Sequence, residues 1–125
     1  MTPAELRYRT AEFARRVGQH VRPLLQDPGP RSAAAQLIRA SQSVAANYRA
    51  ACLARSHTEF LAIIGLVLTE TDESLFWLEH LDEPGPRMIP MRKELVREAG
   101  ELAKIFGASY RTARSHRDLG KRSRR

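Results

Sequence analysis

Two Pro-Gly-Pro triplets govern what this chain can fold into. They sit within Asp27-Pro28-Gly29-Pro30-Arg31 and Glu83-Pro84-Gly85-Pro86-Arg87, 56 residues apart. Proline has no amide hydrogen and pushes the residue before it away from helical dihedrals, so each triplet ends a helix. The repeated punctuation marks two helix–turn–helix hairpins of similar length. A third break falls at Arg55-Ser56-His57, where Ser56 and Glu59 have the spacing of a capping box. In such a box the serine oxygen takes the amide three residues on, and the glutamate reaches back. The breaks predict four helices at about 3–26, 32–54, 57–82 and 89–115.

Apolar periodicity supports the division. The first segment offers Leu6, Phe13, Val17, Val21 and Leu24, and the second Ala34, Leu37, Ile38, Ser41, Val44, Ala45, Tyr48 and Cys52. The third offers Phe60, Ile63, Ile64, Val67, Thr71, Ser74, Leu75, Leu78 and Leu81, and the fourth Met91, Leu95, Ala99, Leu102, Ile105, Phe106 and Ala113. Steps of three and four place each set on one stripe of a helix. No segment sustains the alternation of a strand. Short connections make neighbours antiparallel, so the expected fold is an all-α, up-down-up-down four-helix bundle.

A chain of 125 residues suits one such domain and can bury a core without metal or disulfide staples. Cys52 is its single cysteine, and no apolar leader opens the sequence, so a cytoplasmic setting is expected. The longest strongly apolar run, 60–69, is ten residues, against the ~20 a membrane span needs, so no membrane role is expected. The net charge of +7 is unevenly placed. Residues 1–110 carry 14 Lys/Arg and 13 Asp/Glu. Arg111, Arg114, Arg117, Lys121, Arg122, Arg124 and Arg125 then face Asp118 alone. Residues 116–125 are expected to form a basic, flexible tail. A tail of this kind either binds polyanions by counterion release or serves as a solvated terminus.

Two features exceed the needs of a monomer. The second helix carries a further stripe, Gln36, Ala40, Ser43, Asn47, Ala50 and Ala54, which is small and uncharged. Such a face admits a second helix closely, with Asn47 and Ser43 placed to hydrogen-bond across the contact; alternatively it is an alanine-rich exposed face favoured by propensity. The third helix is apolar nearly all round at its start, and Phe76 falls opposite its core stripe with Trp77 near the edge. A helix apolar on several sides is buried on several sides, which favours self-association. Charge is also segregated. Residues 31–55 hold Arg31, Arg39, Arg49 and Arg55 and no acid, whereas 56–83 hold seven acids and no Lys or Arg. Such surfaces attract within the hairpin or between copies.

The stretch 39–52, Arg-Ala-Ser-Gln-Ser-Val-Ala-Ala-Asn-Tyr-Arg-Ala-Ala-Cys, followed by Arg55-Ser56-His57-Thr58-Glu59-Phe60, resembles the signature of the bacterial four-helix-bundle family encoded in intervening sequences of 23S ribosomal RNA genes. Residues 70–79 are similar to that family's third helix, and the likeness extends over roughly 5–115. The resemblance implies a left-handed bundle that assembles into a homopentameric ring. It also implies kinship with the accessory protein of diversity-generating retroelements, which works with a reverse transcriptase and nucleic acid. The opening Thr2-Pro3-Ala4-Glu5-Leu6-Arg7 departs from the family's usual start.

Catalytic chemistry finds no anchor in these residues. The Glu-x-x-His pairs of a di-metal bundle site are absent, and His20, His57, His80 and His116 are scattered. Glycines occur singly rather than in a phosphate loop, and Cys52 falls on the core stripe. No catalytic, metal-ligating or cofactor-binding residue is assigned, and no cofactor is expected. The expected function is that of a non-enzymatic oligomeric adaptor that binds RNA or DNA. Its anchors are the seven tail bases, joined by Arg7, Arg9, Arg15 and Arg16 of the first helix. The alternative is a protein-binding scaffold without a nucleic-acid role.

Overall fold

The computed structural model describes residues 1–81 and 88–123; the side chains of 88–90 and 121–123 lie outside the description. It contains α1 (Pro3–Val21), a 3₁₀ turn (Arg22–Gln26), α2 (Arg31–Cys52), α3 (His57–His80) and α4 (Met88–Ser123). No strand occurs among the described residues. The second Pro-Gly-Pro turn lies outside them.

Local chemistry explains most boundaries. Thr2 opens α1 with a full capping box: its hydroxyl accepts the Glu5 amide at 3.1 Å, and the Glu5 carboxylate accepts the Thr2 amide at 3.2 Å. At Ser56 only the serine half of the expected box forms, its hydroxyl accepting the Glu59 amide at 3.1 Å. The first helix, expected to run to 26, changes character at Arg22, because Pro23 removes an amide and the chain tightens into the 3₁₀ turn. Leu24 stays buried there.

The fourth helix differs most from expectation. It continues through 116–123, the stretch expected to be a flexible tail, and its 36 residues span ~54 Å against ~36 Å for α3. No proline interrupts it after Pro90, which falls in the first turn, where a missing amide hydrogen costs nothing.

The helices pack in sequence order and α1 closes on α4, giving an antiparallel square. Leu37, Ile64, Leu78, Leu95, Leu102, Phe13 and Phe106 are fully buried at its centre. Tyr48 meets Phe106 across the core, ring centres 5.3 Å apart and tilted by 42°. The buried hydroxyls of Thr10, Thr71 and Ser74 each donate to the carbonyl four residues back, at 2.9, 2.7 and 2.8 Å, so burial leaves none of them unpaired.

The α1–α4 seam is the least extensive of the four. Charge reinforces it. Arg9 forks onto Glu98, with Nε to Oε2 at 2.8 Å and Nη2 to Oε1 at 2.6 Å, and also contacts Glu101. One helical repeat further on, Arg16 reaches Glu94 at 2.8 Å.

Candidate nucleic-acid interface

Antiparallel packing brings the start of α1, the end of α2, the start of α3 and the far part of α4 to one end of the bundle. Three contacts mark this end. His57 Nε2 donates to the Ala113 carbonyl at 2.7 Å. Arg117 shares a crevice with Thr58, Gly65 and Tyr110. Arg7 and Arg49 line one groove. Arg55, in the turn before α3, joins the same end. Cations of three sequence regions thus share one end of the bundle. Arg49 and Arg55 were not among the expected anchors, because only the topology brings them to the same end as the α4 bases.

The expected anchors fare unequally. Arg111 and Arg114 are exposed on α4 and take part in no ion pair among the described residues. The Arg111 side chain lies back over Gly107, where a Cβ would stand 3.3 Å from its guanidinium. Arg117 is half-buried and donates to Asp118 at 3.3 Å. Of Lys121 and Arg122 only the backbone is described, and Arg124 and Arg125 lie outside the description. On α1, Arg9 and Arg16 serve the α1–α4 seam. Arg15 pairs with Glu12 on its own helix and donates to Gln19 at 3.1 Å. Arg7 stands exposed at the α1–α2 groove. The four do not form one free basic face, because the acids that occupy Arg9 and Arg16 come from a helix distant in sequence.

The small stripe on α2 also departs from a free interface. Ala40 is fully buried, and Ser43, Asn47 and Ala54 are half-buried, leaving Gln36 and Ala50 exposed. The physical reason is the direction of this edge: adjacent Arg39 reaches Glu70 and Glu73 on α3, so the stripe turns toward its own hairpin partner. Asn47 does not wait for a foreign partner with its amide nitrogen, which donates to the Ser43 carbonyl and hydroxyl, both at 2.9 Å. Within the hairpin, Arg39 satisfies part of the basic–acidic segregation, and its hydrogen bond holds the Glu73 carboxyl below the usual range.

Phe76 is exposed as expected, at 47%, and Trp77 is half-buried with its indole nitrogen 3.4 Å from Glu73 Oε1. Phe76 meets Trp77 edge-on at 5.0 Å and stacks on His80 at 4.2 Å. Leu66 is also exposed on α3, at 52%.

His57 and His116 face each other at 6.4 Å beside Phe60, Ser109 and Thr112, around a shallow cavity of about 420 Å³. Among the described residues no three His, Cys, Asp or Glu side chains are grouped to hold a metal. Tyr48 is pushed up to about 12 by burial, and then by its neighbour Cys52. Both line the core rather than a cleft. No described helix is long and apolar enough to cross a membrane.

No protein-family model matches the chain, and no curated protein sequence matches it significantly. Among solved structures, the chain is similar to a protein of unknown function from the S23 ribosomal protein family of Bacteroides thetaiotaomicron, at 24% identity and a TM-score of 0.73. The match covers 83% of this chain and 96% of that one. At that identity the likeness speaks to the fold, a bundle of four helices.

Proposed function

We propose that this protein is a non-catalytic, oligomeric four-helix bundle of the bacterial cytoplasm that holds RNA or DNA by its phosphate backbone. The observation that carries the reading is the far part of α4. It extends as helix past the start of α3 and bears Arg111 and Arg114 without an ion pair among the described residues. Arg49 and Arg55 stand at the same end. The similarity to an S23-family structure supports the four-helix fold on which the reading stands. Its nucleic-acid and oligomeric parts are supported by the resemblance of 39–52 to the 23S rRNA intervening-sequence proteins and, through them, to the retroelement accessory protein; that resemblance implies a pentameric ring. A ring repeats the basic end several times, so weak contacts add as avidity. Binding of this kind is salt-sensitive and indifferent to sequence.

The test is retention of labelled single-stranded RNA and duplex DNA by the wild type and by Arg111→Glu/Arg114→Glu, across a salt series. Both positions are exposed, so the fold is kept. Removing everything from 111 onward is a poorer test, because it takes out buried Ala113. The double variant should lose retention at ~150 mM salt, and its salt slope should flatten by about 0.9 for each phosphate it no longer neutralises. Equal retention at matched salt would overturn the assignment of α4. Exposed Leu66 and Phe76 favour a second reading, a protein scaffold, which stands if neither nucleic acid is retained by the wild type.

A further inference from the structure

The groove between α1 and α2 reaches the basic end of the bundle. Its volume, about 550 Å³, is in the range of small-ligand clefts. Ala11 and Ala14 of α1 and Ala45 and Ala46 of α2 line it, so no large side chain of the chain's own fills it. The two helices run antiparallel, which sets Arg7 and Arg49 at one end and Ala14 and Gln42 at the other. The ends are seven residues and so ~10 Å apart along α1.

The groove also carries groups that the fold does not use. Arg7 and Arg49 are exposed and take part in no ion pair among the described residues. No acid lines the groove: Glu5 is turned to the Thr2 amide, and Glu12 is held by Arg15. Tyr8, next to Arg7 on α1, is 72% exposed, and its ring meets no other ring among the described residues. Gln42 is exposed, and its amide makes no hydrogen bond among them.

We infer that this groove holds one nucleotide of a single-stranded nucleic acid, its base on Tyr8 and its phosphate at Arg7 and Arg49. This rests on the proposed function and names the form of nucleic acid that the basic end takes. Two guanidinium groups without acids select an anion, and their planar forks suit a phosphate. An open aromatic face beside them selects an anion that carries a flat ring. A nucleobase is such a ring, and stacking on an aromatic side chain is tolerant of which base it is. The alanine floor lets ring and sugar approach closely, and the Gln42 amide both donates and accepts toward a base edge or a sugar hydroxyl. A duplex is the poorer ligand, because its bases stack on one another and only its phosphates meet the arginines. An acidic side chain satisfies the arginines but brings no ring to Tyr8.

The experiment is fluorescence anisotropy with three labelled probes of one length: a single-stranded oligonucleotide, the same strand made abasic throughout, and the duplex. The chains are the wild type, Tyr8→Ala, Tyr8→Trp, Arg7→Gln/Arg49→Gln and Arg111→Glu/Arg114→Glu. All these positions are exposed, and circular dichroism checks that each variant is folded. The wild type should bind the intact strand about tenfold more tightly than the abasic one, the worth of one stacked base. Tyr8→Ala should erase that ratio and Tyr8→Trp should keep it. Arg7→Gln/Arg49→Gln should weaken both strands, and Arg111→Glu/Arg114→Glu should weaken both with the ratio kept. Equal wild-type affinity for intact and abasic strands, or a ratio that survives Tyr8→Ala, would overturn the groove and leave phosphate-backbone binding standing. So would displacement of the strand by polyglutamate or a free mononucleotide as readily, charge for charge, as by unlabelled strand. A fall in oligomeric mass on Tyr8→Ala, read by light scattering, would give the groove to a second copy and also overturn it. A wild type that binds none of the probes would overturn both readings.

Discussion

Single residues tie the stability of this bundle to pH, and Tyr48 shows how. Its hydroxyl sits at the edge of a packed core, with its ring on Phe106. Burial holds the phenol proton until about 12, where an unfolded chain releases it at 10.0. A group whose folded pKa is raised contributes stability that is full below the unfolded value and drains as pH passes the folded one. Between pH 10 and 12 the protein should therefore lose on the order of 2 kcal/mol through this residue. Melting curves of wild type and Tyr48→Phe across that window check it; the difference between them should change with pH above 10 and be constant below. At the other end of the α2–α3 turn, Ser56→Ala removes the acceptor for the Glu59 amide and should cost ~1 kcal/mol by urea denaturation. The cap is legible from Ser56 and Glu59, and the box at Thr2 and Glu5 has the same spacing, although it is at Thr2 that both halves form.

At the scale of elements, apolar periodicity locates every helix, because the stripe facing the core is a local pattern. Most buried positions fall on it, from Phe13 to Leu102, while Thr10, Ala40, Ala51 and Leu61 are buried beside it and Ile38, Cys52 and Ile63 on it are only half-buried. The end of α4 is not legible for the same reason: the stripe stops at Ala113, yet nothing after it breaks a helix. The candidate site is legible only in part. Arg111 and Arg114 read as free cations, but whether Arg9 and Arg16 are free depends on Glu98, Glu101 and Glu94, some 80 to 90 residues away. Ion pairs of the two seams should differ in worth. Arg39 is half exposed, so its pairs with Glu70 and Glu73 contribute ~0–1 kcal/mol. The lowered pKa of Glu73 means that this contribution is present above the ordinary carboxylate range and fades as pH falls below about 4. Arg9 forks onto Glu98 where both side chains are about four-fifths covered, at 22% and 19% exposure, and closes the thinnest seam. Arg9→Ala should cost ~1.5–3 kcal/mol and exceed Arg39→Ala in the same denaturation series.

Over the whole molecule, stability and charge are stored in different places. The core ends at Ala113, and beyond it the described side chains are exposed or half-buried, with Leu119 at 57%. Ending the chain after Arg117 removes four Lys/Arg and Asp118, which takes the net charge from +7 to +4 and leaves the buried core whole. The melting midpoint should move by less than ~4 °C, the range of substitutions away from a core. Retention of RNA should weaken at moderate salt yet persist at low salt, because Arg111 and Arg114 remain. Differential scanning calorimetry and the salt-series retention assay read the two effects on one sample. If the midpoint fell with the charge, 118–123 would be packed against the bundle in solution, and α4 would be a structural strut. If only retention fell, the overhang is a charged arm on a body that folds without it.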